Sequence, residues 1–279
     1  MESMIGAINK RISVRSYTDQ PMDSNKKQEL INLLHSTSKG PFGNEVRFTL
    51  IDFSEMERDE IRSLGTYGFI RGAKLFIVSA IKDDVRAMED LGYCFEKVIL
   101  TATNMGLGTC WMGGTFRRAN FAKKINVLDD EVVPAISPIG YARNKKTIRE
   151  KVLRRFAGSN NRKPWEDLFF NGDMNKPLLK DLAGEYATPL ECVRLGPSAS
   201  NNQPWRIVYN KQQGIFHLYL KRTWGYDKFN GRVDLQRIDM GIAMCHFELG
   251  ARETGLSGTW EVANTNLDIG NAEYIVTWK

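Results

Sequence analysis

Asp90-Leu-Gly-Tyr-Cys-Phe-Glu-Lys-Val-Ile-Leu-Thr-Ala102 and Asp239-Met-Gly-Ile-Ala-Met-Cys-His-Phe-Glu-Leu-Gly-Ala251 are two copies of one pattern. Asp239 lies 149 residues after Asp90, and Gly255-Leu256 and Trp260 follow Gly106-Leu107 and Trp111 at the same ungapped offset. From Asp84 to Met105 the apolar residues recur at helical spacing, which predicts a long and mostly apolar helix that belongs in the core. Upstream, Gly40-Pro-Phe-Gly-Asn-Glu-Val-Arg-Phe48 is a shortened echo of the stretch from Gly196-Pro197 to Arg206-Ile207. The echo lacks three residues, nearly all the serines and amides, and the tryptophan. Two copies are too few for a solenoid. A homodimer interface is two-fold symmetric, and a tandem duplication mimics it within one chain. The expected fold is therefore α+β, with two α/β halves forming an intramolecular pseudo-dimer around a long central helix pair. The first half is expected over residues 1–165 and the second over 166–279, intertwined as one unit.

A chain of 279 residues, 42% hydrophobic and 26% charged, matches a soluble globular protein with ample core. No apolar run reaches the roughly 18 residues of a membrane span, and the N-terminus shows no hydrophobic signal region, so a cytoplasmic location away from the membrane is expected. Cys94, Cys110, Cys192 and Cys245 sit singly among apolar residues and read as buried thiols. His35, His217 and His246 are widely spaced, so no metal site is expected. The net charge of +6 admits a nucleic-acid partner. Yet the basic residues are spread out apart from Arg143 to Lys163, and no nucleic-acid motif accompanies them. An anionic small ligand accounts for them as well, and no nucleic-acid partner is expected.

Two stretches occur once each. In Lys10-Arg-Ile-Ser-Val-Arg-Ser-Tyr17, Arg11, Ser13 and Arg15 alternate with Ile12 and Val14, so on a strand the three polar groups share a face. They read either as a phosphate clamp, since guanidinium forks bind phosphate bidentately, or as an edge strand with solvated arginines. In Arg194-Leu-Gly-Pro-Ser-Ala-Ser-Asn-Asn-Gln-Pro-Trp-Arg206, Gly196 and Pro197 end a helix and Pro204 prevents another from starting. The hydroxyls and amides between them suit a flat, heteroatom-rich ring, or belong to an ordinary turn before a strand at Ile207-Val208-Tyr209. The clamp occurs only in the first half and the full polar loop only in the second. If one composite site needs both, one site per chain survives at the seam. Further helices are expected over residues 1–10 and 26–35. Strands are expected at Phe48–Ile51, at Lys74–Ile81 (buried on both faces) and at Val132–Gly140 despite its two prolines. Gly106 to Gly114 is a glycine-rich turn with free N–H groups. Trp224-Gly-Tyr-Asp-Lys-Phe229 either walls a substrate space or packs.

Together these residues resemble the FMN-dependent nitroreductase superfamily, and specifically its branch with two nitroreductase-like halves in one chain. Arg11-Ile-Ser-Val-Arg-Ser-Tyr17 is similar to the family's N-terminal pattern except at Ile12, where Arg or His is usual. Pro197 to Trp205 is similar to its Pro-Ser-Ser/Ala-x-Asn-x-Gln-Pro-Trp pattern at every position. Gly106 to Gly114 resembles its glycine turn, and Arg162-Lys-Pro-Trp-Glu-Asp167 its terminal basic pattern. The resemblance implies that Arg11 and Ser13 hold an FMN phosphate and ribityl chain, with Arg162 helping and Ile12 contributing only its backbone N–H. It implies that Arg15 lies near the flavin N1–C2 edge, and that Gly113 and Gly114 present N–H groups toward N5 and O4. Pro197, Ser198, Ala199, Asn201 and Gln203 would supply in cis the loop that a partner subunit lends in ordinary family dimers. The implied activity is an NAD(P)H-dependent ping-pong reduction of a small-molecule electron acceptor such as a nitroaromatic, a quinone or a second flavin. The flavin N5 carries the chemistry, so no catalytic side chain is expected. The implied state is a monomer mimicking the family dimer, open to further oligomerisation. A flavin-binding protein with little or no turnover is the alternative.

Overall fold

The computed structural model describes residues 3–56, 65–66, 68–143, 161–223, 232–263 and 270–279. Helix α1 (Met4–Lys10) is capped by Ser3, whose Oγ accepts from the Gly6 N–H at 2.8 Å. Asp23 caps α2 (Ser24–Ser36) in the same way. Strands β1 (Arg47–Asp52) and β2 (Leu75–Lys82) pair antiparallel and lead to the long helix α3 (Ala87–Asn104). Helix α3 ends where Gly106 takes a positive φ of 76°. After it come β3 (Gly108–Thr109), α4 (Arg118–Lys124), β4 (Glu131–Val132) and β5 (Ile136–Gly140). The remaining elements are β6 (Phe169–Asn171), α5 (Ala187–Leu195), β7 (Trp205–Asn210), β8 (Ile215–Lys221), α6 (Leu235–Glu253), β9 (Trp260–Glu261) and β10 (Ala272–Trp278).

Two five-stranded sheets result. The first runs β1-β2-β5-β3 with β4 also on β2, and the second runs β6-β7-β8-β10-β9. From β7 onward the second sheet takes its strands in the order of the first, with β6 added in parallel at the edge. Each sheet lays one face on α3 and α6: Leu75, Ile77 and Ile81 from β2, and Phe216, Leu218 and Leu220 from β8, share one buried cluster with both helices. The other face of β2 (Phe76, Val78, Ala80) packs with Phe116, Phe121 and Ile125, so β2 is buried on both faces as its apolar run predicts. Each fully buried side chain of this size contributes about 1.5–3 kcal/mol relative to exposure.

Helices α3 and α6 contact each other more extensively than any other pair of elements. They approach backbone to backbone at the two glycines of the repeat. A Cβ on Gly92 would lie 2.0 Å from the Ile238 carbonyl oxygen, and one on Gly241 would lie 1.9 Å from that of Glu89. The two repeat aspartates also act alike. Asp90 accepts from the N–H groups of Phe42 and Asn44, both at 2.9 Å, and Asp239 from that of Ala199 at 2.9 Å. Each thus ties the loop of its own half to the helix pair.

Two expectations are corrected. Residues 11–17 form no strand; they make single bridges, Ser13 to Thr109, Ser16 to Arg71 and Tyr17 to Ala142. Three partners in place of one ladder impose no period of two. Accordingly Ile12 is 48% exposed and Val14 is buried, while the Arg11 side chain is itself buried. The strand expected over Val132–Gly140 is split into β4 and β5, because Pro134 has no N–H to continue the ladder with β2. All four cysteines are free and buried. Among the described residues no helix is long and apolar enough to cross a membrane. The aromatic stretch Trp224–Phe229 and most of the basic stretch Arg143–Lys163 lie outside the described residues.

Candidate functional site

Arg11 follows α1, and its side chain is only 8% exposed. Its Nε stands 3.9 Å from Oε1 of Glu96, a fully buried carboxylate on α3. The other Glu96 oxygen accepts from the Trp111 indole at 2.6 Å, while Oε1 meets Nε2 of His246 on α6 at 2.9 Å. His246 Nδ1 lies 2.7 Å from the Cys192 carbonyl, which only accepts, so Nδ1 carries a proton. The contact between Nε2 and Glu96 then needs a second proton between them. This buried knot joins the first segment, the turn after α3, and helices α5 and α6.

From the second side comes Arg162. It donates to Oδ1 of Asn201 and, at 2.9 Å, to the carbonyl of Leu195 at the end of α5. Burial, together with the charges of Arg11 and Arg194, pushes its pKa down to about 10. Arg194 is itself paired with Glu191, at 2.6 and 2.8 Å. Arg11 and Arg162 thus bring positive charge from residues far apart in the chain, and the Glu96 carboxylate offsets part of its effect on Arg162.

The loop after α5 is rigidly built. Ser200, Asn201 and Gln203 all take positive φ, at 50°, 55° and 46°. Non-glycine residues rarely adopt this region, and such strain persists only where surrounding contacts over-determine it. Here the Ser198 hydroxyl accepts from the Gln203 N–H at 2.9 Å, Gln203 Oε1 accepts from the Lys163 N–H at 2.9 Å, and Asn201 Nδ2 donates to the Asn161 carbonyl at 2.6 Å. Gln203 is buried with its amide engaged, so it shapes the loop. Pro197, Ser198, Ala199 and Asn201 are half-buried along it. Asp239 holds Ala199 through one oxygen, and its Oδ2 is buried without a partner. Burial raises its carboxyl well above the usual range.

The glycine turn closes the third side. Val14 N–H donates to the Thr109 carbonyl at 2.8 Å, and Ser13 bridges the same residue, which docks the clamp segment on the turn. Gly113 packs under Leu235 in the first turn of α6, where a Cβ would meet Leu235 Cδ2 at 2.6 Å. Gly114 is exposed. Arg15 is half-buried, and its carbonyl accepts from the Arg71 N–H at 2.8 Å. The structure thus links Arg11, Ser13, Gly113, Arg162, Ala199 and Asn201 through short chains of contacts, while Ile12 turns outward. A groove of about 1020 Å³ between α2 and β1 is lined by none of these residues.

Glu96, His246, Trp111 and Asp239 are not marked as site residues by the sequence, where Asp239 and Trp111 stand out only as landmarks of the repeat. Glu96 had a signal, a charge inside an apolar helical run. Its pairing with His246 was hidden because their separation of 150 residues falls one off the repeat.

The chain matches the family described as "Putative TM nitroreductase" over residues 3–251. It is similar to the structure of a "putative nitroreductase" from Thermotoga maritima, with 22% identity and a TM-score of 0.61, covering 99% of this chain and 92% of that one. It also aligns with an FMN-dependent nitroreductase from Clostridium difficile (19% identity, TM-score 0.41) over 51% of this chain and 90% of that one. A nitroreductase family protein from Clostridium novyi aligns at 20% identity and TM-score 0.43, over 53% and 89%. No curated protein matches.

Proposed function

The chain belongs to the Putative TM nitroreductase family, and from that premise we propose that it is an FMN-dependent oxidoreductase. It uses NAD(P)H to reduce nitroaromatics, quinones or flavin-like acceptors at one site between its two halves. The observation that carries this reading is a pair of largely buried guanidinium groups, Arg11 beside Glu96 and Arg162 beside Asn201 and the Leu195 carbonyl. Burial first, and after it repulsion from the charge of Arg11, lowers the pKa of Arg162. An anion there relieves the repulsion and takes charge-assisted hydrogen bonds, the strong kind.

The residues present fit FMN. Arg11 and Arg162 would hold the phosphate with Ser13, and Arg15 would add positive charge toward the ring. Pro197, Ser198, Ala199, Asn201 and Gln203 form a preorganised wall, in which the orphaned Asp239 Oδ2 is a further polar atom awaiting a partner. Gly113 and Gly114 would offer backbone N–H groups. When bound, FMN supplies hydride acceptance and donation at N5, so the donor and the acceptor of electrons occupy the same place in turn. The protein positions and tunes, and no side chain is asked to act as nucleophile. One flavin per chain follows from the asymmetry: the first-half loop from Gly40 to Phe48 lacks nearly all the serines and amides, and the second half lacks the clamp. The halves divide at residues 165/166, and the fused chain acts as a cytoplasmic monomer in place of a dimer.

A flavin-binding protein with little turnover is the second reading, favoured by Ile12, whose exposed apolar side chain offers no charged contact to a phosphate. Purified protein reconstituted with FMN and titrated anaerobically with NADH or NADPH separates the two. We expect one FMN per chain, bleaching by the nucleotide, and recovery on adding a quinone or nitroaromatic. A bound flavin that stays oxidised selects the second reading, and absence of flavin binding overturns both.

A further inference from the structure

Arg118 opens α4, a place where a cation opposes the helix dipole. Its guanidinium is half-buried, and its hydrogen bonds go to main-chain carbonyls: Val133 at 2.8 Å, Gly113 at 2.6 Å and Pro134 at 3.1 Å. The face of the group lies 5.1 Å from the centroid of Phe116. Burial lowers its pKa. The break between β4 and β5 leaves Val133 and Pro134 outside both strands, so this arginine answers the strand break at one end and the glycine turn at the other.

Resting on the FMN reading, we propose that Arg118 is a positioning residue that sets the direction of the Gly113–Gly114 peptide. That peptide is trans, so its C=O and N–H point in opposite directions. Holding the Gly113 carbonyl toward Arg118 therefore aims the Gly114 N–H the other way, at the exposed side of the turn. Two adjacent glycines make this peptide easy to rotate, and without a fixed carbonyl both orientations are accessible. Leu235 packs against Gly113, but an apolar side chain makes no hydrogen bond that selects an orientation. An N–H fixed before cofactor binding needs no reorganisation when charge develops on its partner.

The test compares wild type with Arg118→Met and Arg118→Lys. Crystal structures of the flavin-free proteins report the peptide directly. We expect it flipped or in two orientations in Arg118→Met and unchanged in Arg118→Lys, which retains one donor for the Gly113 carbonyl. A wild-type orientation in Arg118→Met overturns the proposal whether or not FMN binds. With FMN added, Arg118→Met should lower the two-electron midpoint potential by the equivalent of a tenfold change in relative affinity for the oxidised and reduced cofactor, about 30 mV. Arg118→Lys should restore most of that shift. An unchanged potential in Arg118→Met, with the peptide flipped, also overturns it. Failure of wild type to bind FMN sinks the FMN reading instead, and leaves the crystal structures to decide the role of Arg118.

Discussion

A methyl group added at Gly92 tests the helix crossing on which the site depends. Its carbon would stand 2.0 Å from the Ile238 carbonyl oxygen, 2.9 Å from the carbonyl carbon and 3.1 Å from Gly241 Cα. Comfortable contact begins near 3.5 Å, so α3 and α6 must part by roughly 1.5 Å at this point. The atoms struck are main chain, which cannot step aside as a side chain can. Overpacking typically costs about 1–3 kcal/mol, and Gly92→Ala belongs at the upper end. Alanine returns about 0.5–1 kcal/mol through helix propensity, which leaves a net loss of about 2–2.5 kcal/mol. With a urea m-value of about 3 kcal/mol/M, the unfolding midpoint should fall by somewhat under about 1 M. The same separation accommodates a methyl at Gly241, so Gly92→Ala/Gly241→Ala should cost clearly less than the sum of the two single changes. Because Glu96 and Asp239 ride on the displaced helices, FMN affinity should fall in the folded variant as well. An unchanged midpoint for Gly92→Ala, or strict additivity in the double variant, would refute the close crossing.

Replacing Glu96 by Leu orphans the Trp111 indole, His246 Nε2 and the Arg11 charge together. Breaking a buried pair in this way costs about 3–5 kcal/mol, which thermal or urea unfolding should show together with weaker FMN retention; wild-type stability would sink the assignment. Asp239 affects stability in the opposite sense to a carboxylate whose pKa a salt bridge depresses. Its folded pKa is raised by burial, so the native state binds the extra proton, and the resulting penalty is absent below about pH 4 and grows as pH rises above the unfolded value. Asp239→Asn keeps the acceptor for Ala199 and should gain stability relative to wild type as pH rises above the ordinary Asp value of about 4, read as the difference in urea midpoints. A difference that does not change with pH would show that Asp239 ionises normally.

The secondary elements were largely legible because their signals are local. The apolar run of β2, the helical period of α3 and the glycine that ends α3 each act within a few residues. Where the reading failed, the reason was non-local. The alternation across Arg11–Val14 presumes a ladder that the segment does not have, and the break at Pro134 reflects hydrogen bonds owed to β2. The polar loop was visible as composition. Its backbone strain was not, since Ser200 and Gln203 are residues that ordinarily avoid positive φ, and contacts from Ser198, Lys163, Asn161 and Asp239 hold the loop around them.

Sequence alone determined the repeat, the order of the elements and the asymmetric placement of the clamp and the loop, all of which are written in residue type and spacing. Tertiary structure decided which charges meet. No spacing announces that the charge of Arg11 acts on Arg162, that Glu96 answers His246 one residue off the repeat, or that Arg118 holds the carbonyl of Gly113. The Glu96–His246 pair spans α3 and α6, which approach backbone to backbone at Gly92 and Gly241, and hydrogen-bond energies are set by such distances.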